Sequence, residues 1–228
     1  MSVGLVSGTS VSHSERFRSW EAFSRTNAYG EVHGKRCGGL IALNRHGPEG
    51  RTAPHAIDHR ANIRFFADLG VTELVALSSV GSLREDLAPG TLVSCGDYVS
   101  FHPVTFQERE ARPVTPGLDN TRVPDIARAS GYTVVTDRVY VQTPGPRFET
   151  RAEIRILRQW GDVVGMTLAG EADLCAELGI RLHSLAIVDN YANGVGDRPL
   201  TPEAFERQVA AHREKADRLL KAIQDLYA

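Results

Sequence analysis

Short apolar runs alternate with helix-patterned stretches along most of this chain, and that alternation limits the fold more than any other feature. Val3-Gly-Leu-Val6, Gly39-Leu-Ile-Ala-Leu43, Glu73-Leu-Val-Ala-Leu77 and Arg181-Leu-His-Ser-Leu-Ala-Ile-Val188 read as buried strands. Between them, residues 54–69 carry Ile57, Ala61, Phe65 and Leu69 at helical spacing, with Pro54 in the first turn and Gly70 as the stop. Residues 124–130, 150–160, 169–178 and a long terminal run, 202–226, also read as helices. Strands alternating with helices imply an α/β fold: a single domain over residues 1–228, with a central mixed, mostly parallel twisted sheet flanked by helices. Residues 11–37 are polar and aperiodic and predict hairpin and loop. Residues 102–122 predict a long loop, either mobile or ordered by a ligand or a neighbouring subunit.

Composition excludes several function classes. With 26 basic and 28 acidic residues the net charge is −2, so there is no basic footprint for nucleic acid and no polybasic patch for membranes. No apolar run approaches the roughly 20 residues that span a bilayer, and the first residues do not resemble a signal peptide. Cys37, Cys95 and Cys175 are scattered, which implies free thiols in a reducing cytoplasm and no zinc spacing. No Gly-x-Gly-x-x-Gly opens a helix after the first strand, so a dinucleotide-binding oxidoreductase is disfavoured.

The chemistry-bearing residues gather where strands end. Gly8-Thr9, Arg45-His46, Ser78-Ser79 and Met166-Thr167 each close an apolar run with small, hydroxyl or basic side chains. If those ends converge they form an oxyanion site. Arg45 offers a planar fork of donors, His46 one more, and Thr9, Ser78, Ser79 and Thr167 offer hydroxyls. Thr167 also precedes a helix whose positive end favours phosphate. The turn Thr143-Pro-Gly-Pro-Arg-Phe-Glu-Thr150 leaves a strand, presents Phe148 and Glu149, and enters a helix. An aromatic face beside a carboxylate suits a flat heterocycle carrying an N–H. The plainer alternative makes Phe148 core and Glu149 a charge favoured by the helix dipole.

Taken together, Ser7-Gly-Thr9, Asn44-Arg-His-Gly47, His59-Arg-Ala-Asn62, Ser78-Ser-Val-Gly-Ser-Leu-Arg-Glu85, Gly145-Pro-Arg-Phe-Glu-Thr150 and Val164-Gly-Met-Thr167 with Glu171 resemble the trimeric purine nucleoside phosphorylases, in particular their methylthioadenosine and methylthioinosine phosphorylase branch. The motifs follow family order from residue 7 to about residue 194. The resemblance implies that a purine nucleoside and inorganic phosphate yield free base and pentose 1-phosphate, in a homotrimer or hexamer, with no metal and no organic cofactor. It implies that Thr9, Arg45, His46, Ser78, Ser79 and Thr167 hold phosphate, that Met166 lies against the ribose and that Phe148 packs on the base.

At the base end, relatives that cleave aminopurines place Asp-x-Asp where this chain reads Asn190-Tyr191-Ala192. An amide can donate to O6 and accept from a protonated N7, and Glu149 matches the glutamate that oxopurine enzymes set against N1–H. Both changes point to a 6-oxopurine nucleoside or 5′-methylthioinosine, with Asn190 and Glu149 as the catalytic pair and Asp189 and Ala192 as further substrate contacts. Asp189 could orient the amide or bind backbone. Pro202 falls near the position where relatives place a histidine for the 5′-hydroxyl, and Leu200 and Phe205 nearby suit an apolar 5′ group. The family's first loop usually begins Gly-Gly; Ser7 departs from that. The alternatives are a methylthioadenosine phosphorylase, a purine nucleosidase of the same fold that uses water, and a non-catalytic anion-binding module.

Overall fold

The structure is a computed structural model that describes residues 2–8, 11, 14–196 and 200–228. Among these residues, nine strands form one sheet in the order β2-β3-β4-β1-β5-β8-β7-β6-β9. The strands are β1 (Ser2–Ser7), β2 (Glu21–Asn27), β3 (Gly30–Cys37), β4 (Leu40–Asn44), β5 (Val71–Ser82), β6 (Leu92–Val99), β7 (Val134–Gln142), β8 (Val163–Gly165) and β9 (Arg181–Tyr191). β9 pairs in parallel with β5 and antiparallel with β6, so strands β5, β8, β7, β6 and β9 close a ring. The parallel set β4-β1-β5-β9 brings four strand ends to one edge. In such sheets ligands bind beyond those carboxyl ends.

Helices cover both faces, as the alternating pattern requires. α2 (His59–Asp68) and α5 (Leu168–Leu178) bury Ile63, Phe65, Phe66, Ala172 and Leu174 on one side. α1 (Glu15–Ser19), α3 (Val123–Ser130) and α7 (Arg213–Tyr227) bury Phe17, Ile126, Leu219, Leu220 and Ile223 on the other. α4 (Arg151–Leu157) packs Ile154 and Leu157 on a third, smaller cluster that includes Val164 and Ala192. Its start is fixed by a capping box: Thr150 and Glu153 each accept the other's backbone N–H, at 3.2 and 2.7 Å.

Several elements differ from the sequence reading. The 54–69 run divides into a short 3₁₀ turn, Pro54–Ala56, and α2, because Asp58 caps α2 by accepting from Ala61 N at 2.8 Å. The terminal run breaks at His212 into α6 (Pro202–Ala211) and α7. Residues 11–37 hold the expected hairpin, β2–β3, preceded by α1. The 102–122 loop is ordered by this chain's own acids, since Val104 N donates to Asp173 at 3.1 Å and Phe106 N to Glu177 at 3.0 Å. Strands β5 and β9 run on past residues 77 and 188, so Ser78, Ser79 and Asn190 lie within strands rather than in loops beyond them.

Candidate active site

A cavity of about 350 Å³ lies at the shared strand edge. Its described lining includes Gly8 after β1, Arg45 and His46 after β4, Ser79 and Gly81 on β5, Met166 and Thr167 after β8, and Asn190 and Ala192 at the end of β9. Phe148 and Glu149 enter from the turn after β7, and Leu200 and Phe205 from the start of α6. The convergence required of those distant segments is therefore present. Thr9 lies outside the described residues.

Arg45 is held beside the cavity by a dry framework. Its Nε and Nη2 donate to the two oxygens of Glu171 on α5, at 2.6 and 3.2 Å. Nη1 donates to Leu77 O at 3.0 Å and Nη2 to Val6 O at 3.2 Å. The fork expected to grip an anion thus grips Glu171, and one remaining N–H of Nη1 is left on the cavity side, where Gly8 comes close. A Cβ at Gly8 would sit 2.9 Å from Nη1, so glycine keeps that approach open. Burial pushes the Glu171 carboxyl upward against the pull of the Arg45 guanidinium.

His46 lines the cavity with one ring nitrogen already engaged. Its Nδ1 lies 2.7 Å from Thr52 O, which can only accept, so Nδ1 carries the proton. Burial, with Arg45 adding to it, lowers the imidazole pKa despite the bond to Thr52 O. In this neutral form Nε2 is an acceptor, and it points toward Gly8, 3.5 Å from where a Cβ would lie. In that form the ring offers an acceptor toward the cavity, and a protonated ring would offer a donor there instead.

The start of α5 is also already partnered. Tyr140 Oη accepts from Thr167 N at 3.0 Å and Leu168 N at 3.4 Å, and Gln142 accepts from Ala169 N at 2.7 Å. Of this helix end, Thr167 lines the cavity, and the field of the dipole reaches it too. Tyr140 is completely buried and its pKa is raised to about 12, so it stays a neutral phenol.

Two expected residues are missing from the described lining. Ser78 is buried and off it, while Ser79, Val80 and Gly81 are on it in succession. Asp189 is displaced by a bulge. Val80 pairs with Val188 and Gly81 with Asn190, so β9 carries one extra residue there, and it is Asp189. Its carboxylate meets His212 Nδ1 at 2.8 Å, at the α6–α7 break. Asp189 ties β9 to the helix joint through this contact, a role the sequence did not suggest. Ser7, the departure in the first loop, donates to Leu43 O at 3.3 Å and is not among the described lining residues.

Glu149 is buried and accepts from Thr143 Oγ1 at 2.6 Å. Asn190 Nδ2 donates to Tyr191 O at 2.8 Å, and Gly81 makes room for it, since a Cβ there would lie 3.3 Å away. Phe148 meets Phe205 edge to face at 5.4 Å, and the pair forms an apolar wall with Leu200. Sequence reasoning missed the roles of Glu171, Tyr140, Gln142, Thr143 and His212. Glu171 carried a signal: it is an acid among small and apolar residues at a helix start. Among the described residues no cluster of His, Cys, Asp and Glu fits a metal ion, and no helix is long and apolar enough to cross a membrane.

Comparison with known proteins fits this geometry. The sequence profile of the family described as the phosphorylase superfamily matches residues 4–225. A probable 6-oxopurine nucleoside phosphorylase of Archaeoglobus fulgidus is 32% identical, over 98% of this chain and 94% of its own. A probable S-methyl-5′-thioinosine phosphorylase of Methanocaldococcus jannaschii is 33% identical, over 98% and 90%. Among solved structures, methylthioadenosine phosphorylase from Schistosoma mansoni in complex with adenine aligns with a TM-score of 0.79 at 21% identity, covering 99% of this chain and 91% of that one, which is a likeness of fold.

Proposed function

Because the chain belongs to the phosphorylase superfamily, we propose that it cleaves a 6-oxopurine nucleoside, 5′-methylthioinosine foremost, with inorganic phosphate as co-substrate and no organic cofactor or metal. The observation that carries this reading is one cavity with a buried, fixed arginine at one end and an amide–carboxylate pair at the other. Phosphate lies against Arg45, His46, Ser79, Thr167 and, by the resemblance, Thr9. Breaking C1′–N9 builds positive charge on the sugar and negative charge on the purine. A phosphate held beneath C1′ stabilises the first and supplies the oxygen that bonds to C1′. The leaving purine keeps the bond's electron pair; Asn190 hydrogen-bonds O6 and N7, and Glu149 accepts from N1–H. Met166 and Phe148 flank sugar and base.

The Leu200–Phe205 wall supports an apolar 5′ substituent, as in the name of the M. jannaschii relative. We also place a second copy of the chain, within a homotrimer or hexamer, against exposed Phe101, Ile156 and Trp160, which line a groove that shares Thr143, Gly145 and Glu149 with the turn beside the cavity. Three unpaired cysteines suit a cytoplasmic enzyme. The test is a panel of inosine, guanosine, adenosine, methylthioinosine and methylthioadenosine, each with and without phosphate, reading free base. Phosphate-dependent release of hypoxanthine, fastest from methylthioinosine, is the expected result. Preference for adenosine or methylthioadenosine would overturn the base assignment.

A further inference from the structure

The anion end of the cavity has little net charge to offer. Arg45 and Glu171 carry opposite charges and bond at 2.6 Å, with side chains 2% and 1% exposed. His46 is held toward its neutral form by burial, and burial lowers the pKa of His59, behind the pair, to about 4. Glu149 adds a carboxylate at the far end. An anion entering such a site loses water without gaining a matching charge, which is costly.

The remaining cation among the described lining residues is Arg51. Its loop is closed at the base: Thr52 N donates to His46 O at 2.9 Å, and His46 Nδ1 donates to Thr52 O at 2.7 Å. Gly47 and Gly50, at φ of 80° and 69°, make the turns between. The backbone of Arg51 is thereby set beside the imidazole. Its side chain is 84% exposed and, among the described residues, its one ion pair is with the exposed carboxylate of Glu49, at 3.4 Å. Exposed pairs of this kind hold weakly. The loop thus joins a fixed base to a loosely held guanidinium at the cavity mouth.

We propose that Arg51 is a phosphate-binding residue, which exchanges Glu49 for the incoming anion and folds over the site to supply the charge that the Arg45–Glu171 pair does not. The inference rests on the phosphorolytic reading above. A guanidinium is suited to the task because its planar fork can meet two phosphate oxygens at once. An exposed cation at the mouth also steers the anion during approach, an effect that salt screens.

The experiment compares the parent with Arg51→Gln, Arg51→Lys and Glu49→Gln, varying inorganic phosphate at saturating nucleoside and at several ionic strengths. In Arg51→Gln the KM for phosphate should rise roughly tenfold or more, the KM for nucleoside should hold, and the salt dependence of kcat/KM for phosphate should flatten. Arg51→Lys should recover part of the loss, and Glu49→Gln should lower the KM for phosphate. A phosphate-dependent parent whose Arg51→Gln variant keeps the same phosphate KM and salt slope overturns this inference alone. A parent that releases base equally fast without phosphate overturns the phosphorolytic reading and this inference with it.

Discussion

Two buried glutamates pair with arginines at opposite ends of the sheet, and the pairs are built differently. At the amino end, Glu73 of β5 has no exposed side-chain surface, yet Arg122 and Arg181 beside it are 34% and 47% exposed. Arg122 grips its oxygens at 2.6 and 2.9 Å, and those bonds hold the carboxyl below the usual range. At the carboxyl end, Arg45 and Glu171 are both dry, and burial pushes the carboxyl up instead. Cations that reach water cost little to keep charged. A wholly dry pair carries a desolvation penalty that its own attraction barely repays. The amino-end pair can be understood as part of the fold. The carboxyl-end pair lies beside the cavity, and the anion site proposed there would give it another reason.

Separating the partners of the dry pair should have the largest effect. Arg45→Met leaves Glu171 buried without a counter-charge and should cost about 3–5 kcal/mol in urea unfolding, together with the loss of normal phosphate dependence. The double change Arg45→Met with Glu171→Leu should restore most of that stability while turnover stays lost. If activity returned with stability, Arg45 would be a structural residue and the contrast between the ends would disappear. Arg122→Ala should cost less, about 1–3 kcal/mol, because Glu73 keeps Arg181.

Asn190→Asp should move the inosine-to-adenosine ratio of kcat/KM toward adenosine by about tenfold, near 1.4 kcal/mol, and leave the stability difference between the two pairs untouched. An unchanged ratio would remove Asn190 from base recognition. The smallest effect is on acid stability. The folded pKa of Glu73 is depressed, so its contribution is complete above the unfolded value, about 4.3, and is lost as pH falls through the lower folded value. Arg122→Ala should flatten that acid limb. An unaltered limb would mean that Arg122 does not set the Glu73 charge.

The alternation of strands and helices was enough to read the sheet and its helical layers, because burial on both faces writes continuous apolar runs into parallel strands. Motif order located most of the cavity. What sequence could not show depends on register and partners. Ser78 and Ser79 are equivalent on paper, yet only Ser79 is among the described lining residues. Asp189 left the site through a one-residue bulge, which has no local signature here. The break at His212 was hidden because Val209 and Ala216 continue one apolar stripe across it. Glu171 lies 126 positions from Arg45, so its claim on the guanidinium is a tertiary fact.

The most direct measurement follows ³¹P NMR spectra of the enzyme with 5′-methylthioinosine and inorganic phosphate. Growth of one equivalent of a pentose 1-phosphate signal for each hypoxanthine released, with no base released when phosphate is omitted, is the expected result. Hypoxanthine appearing at the same rate without phosphate, and with no sugar phosphate formed, would contradict the account.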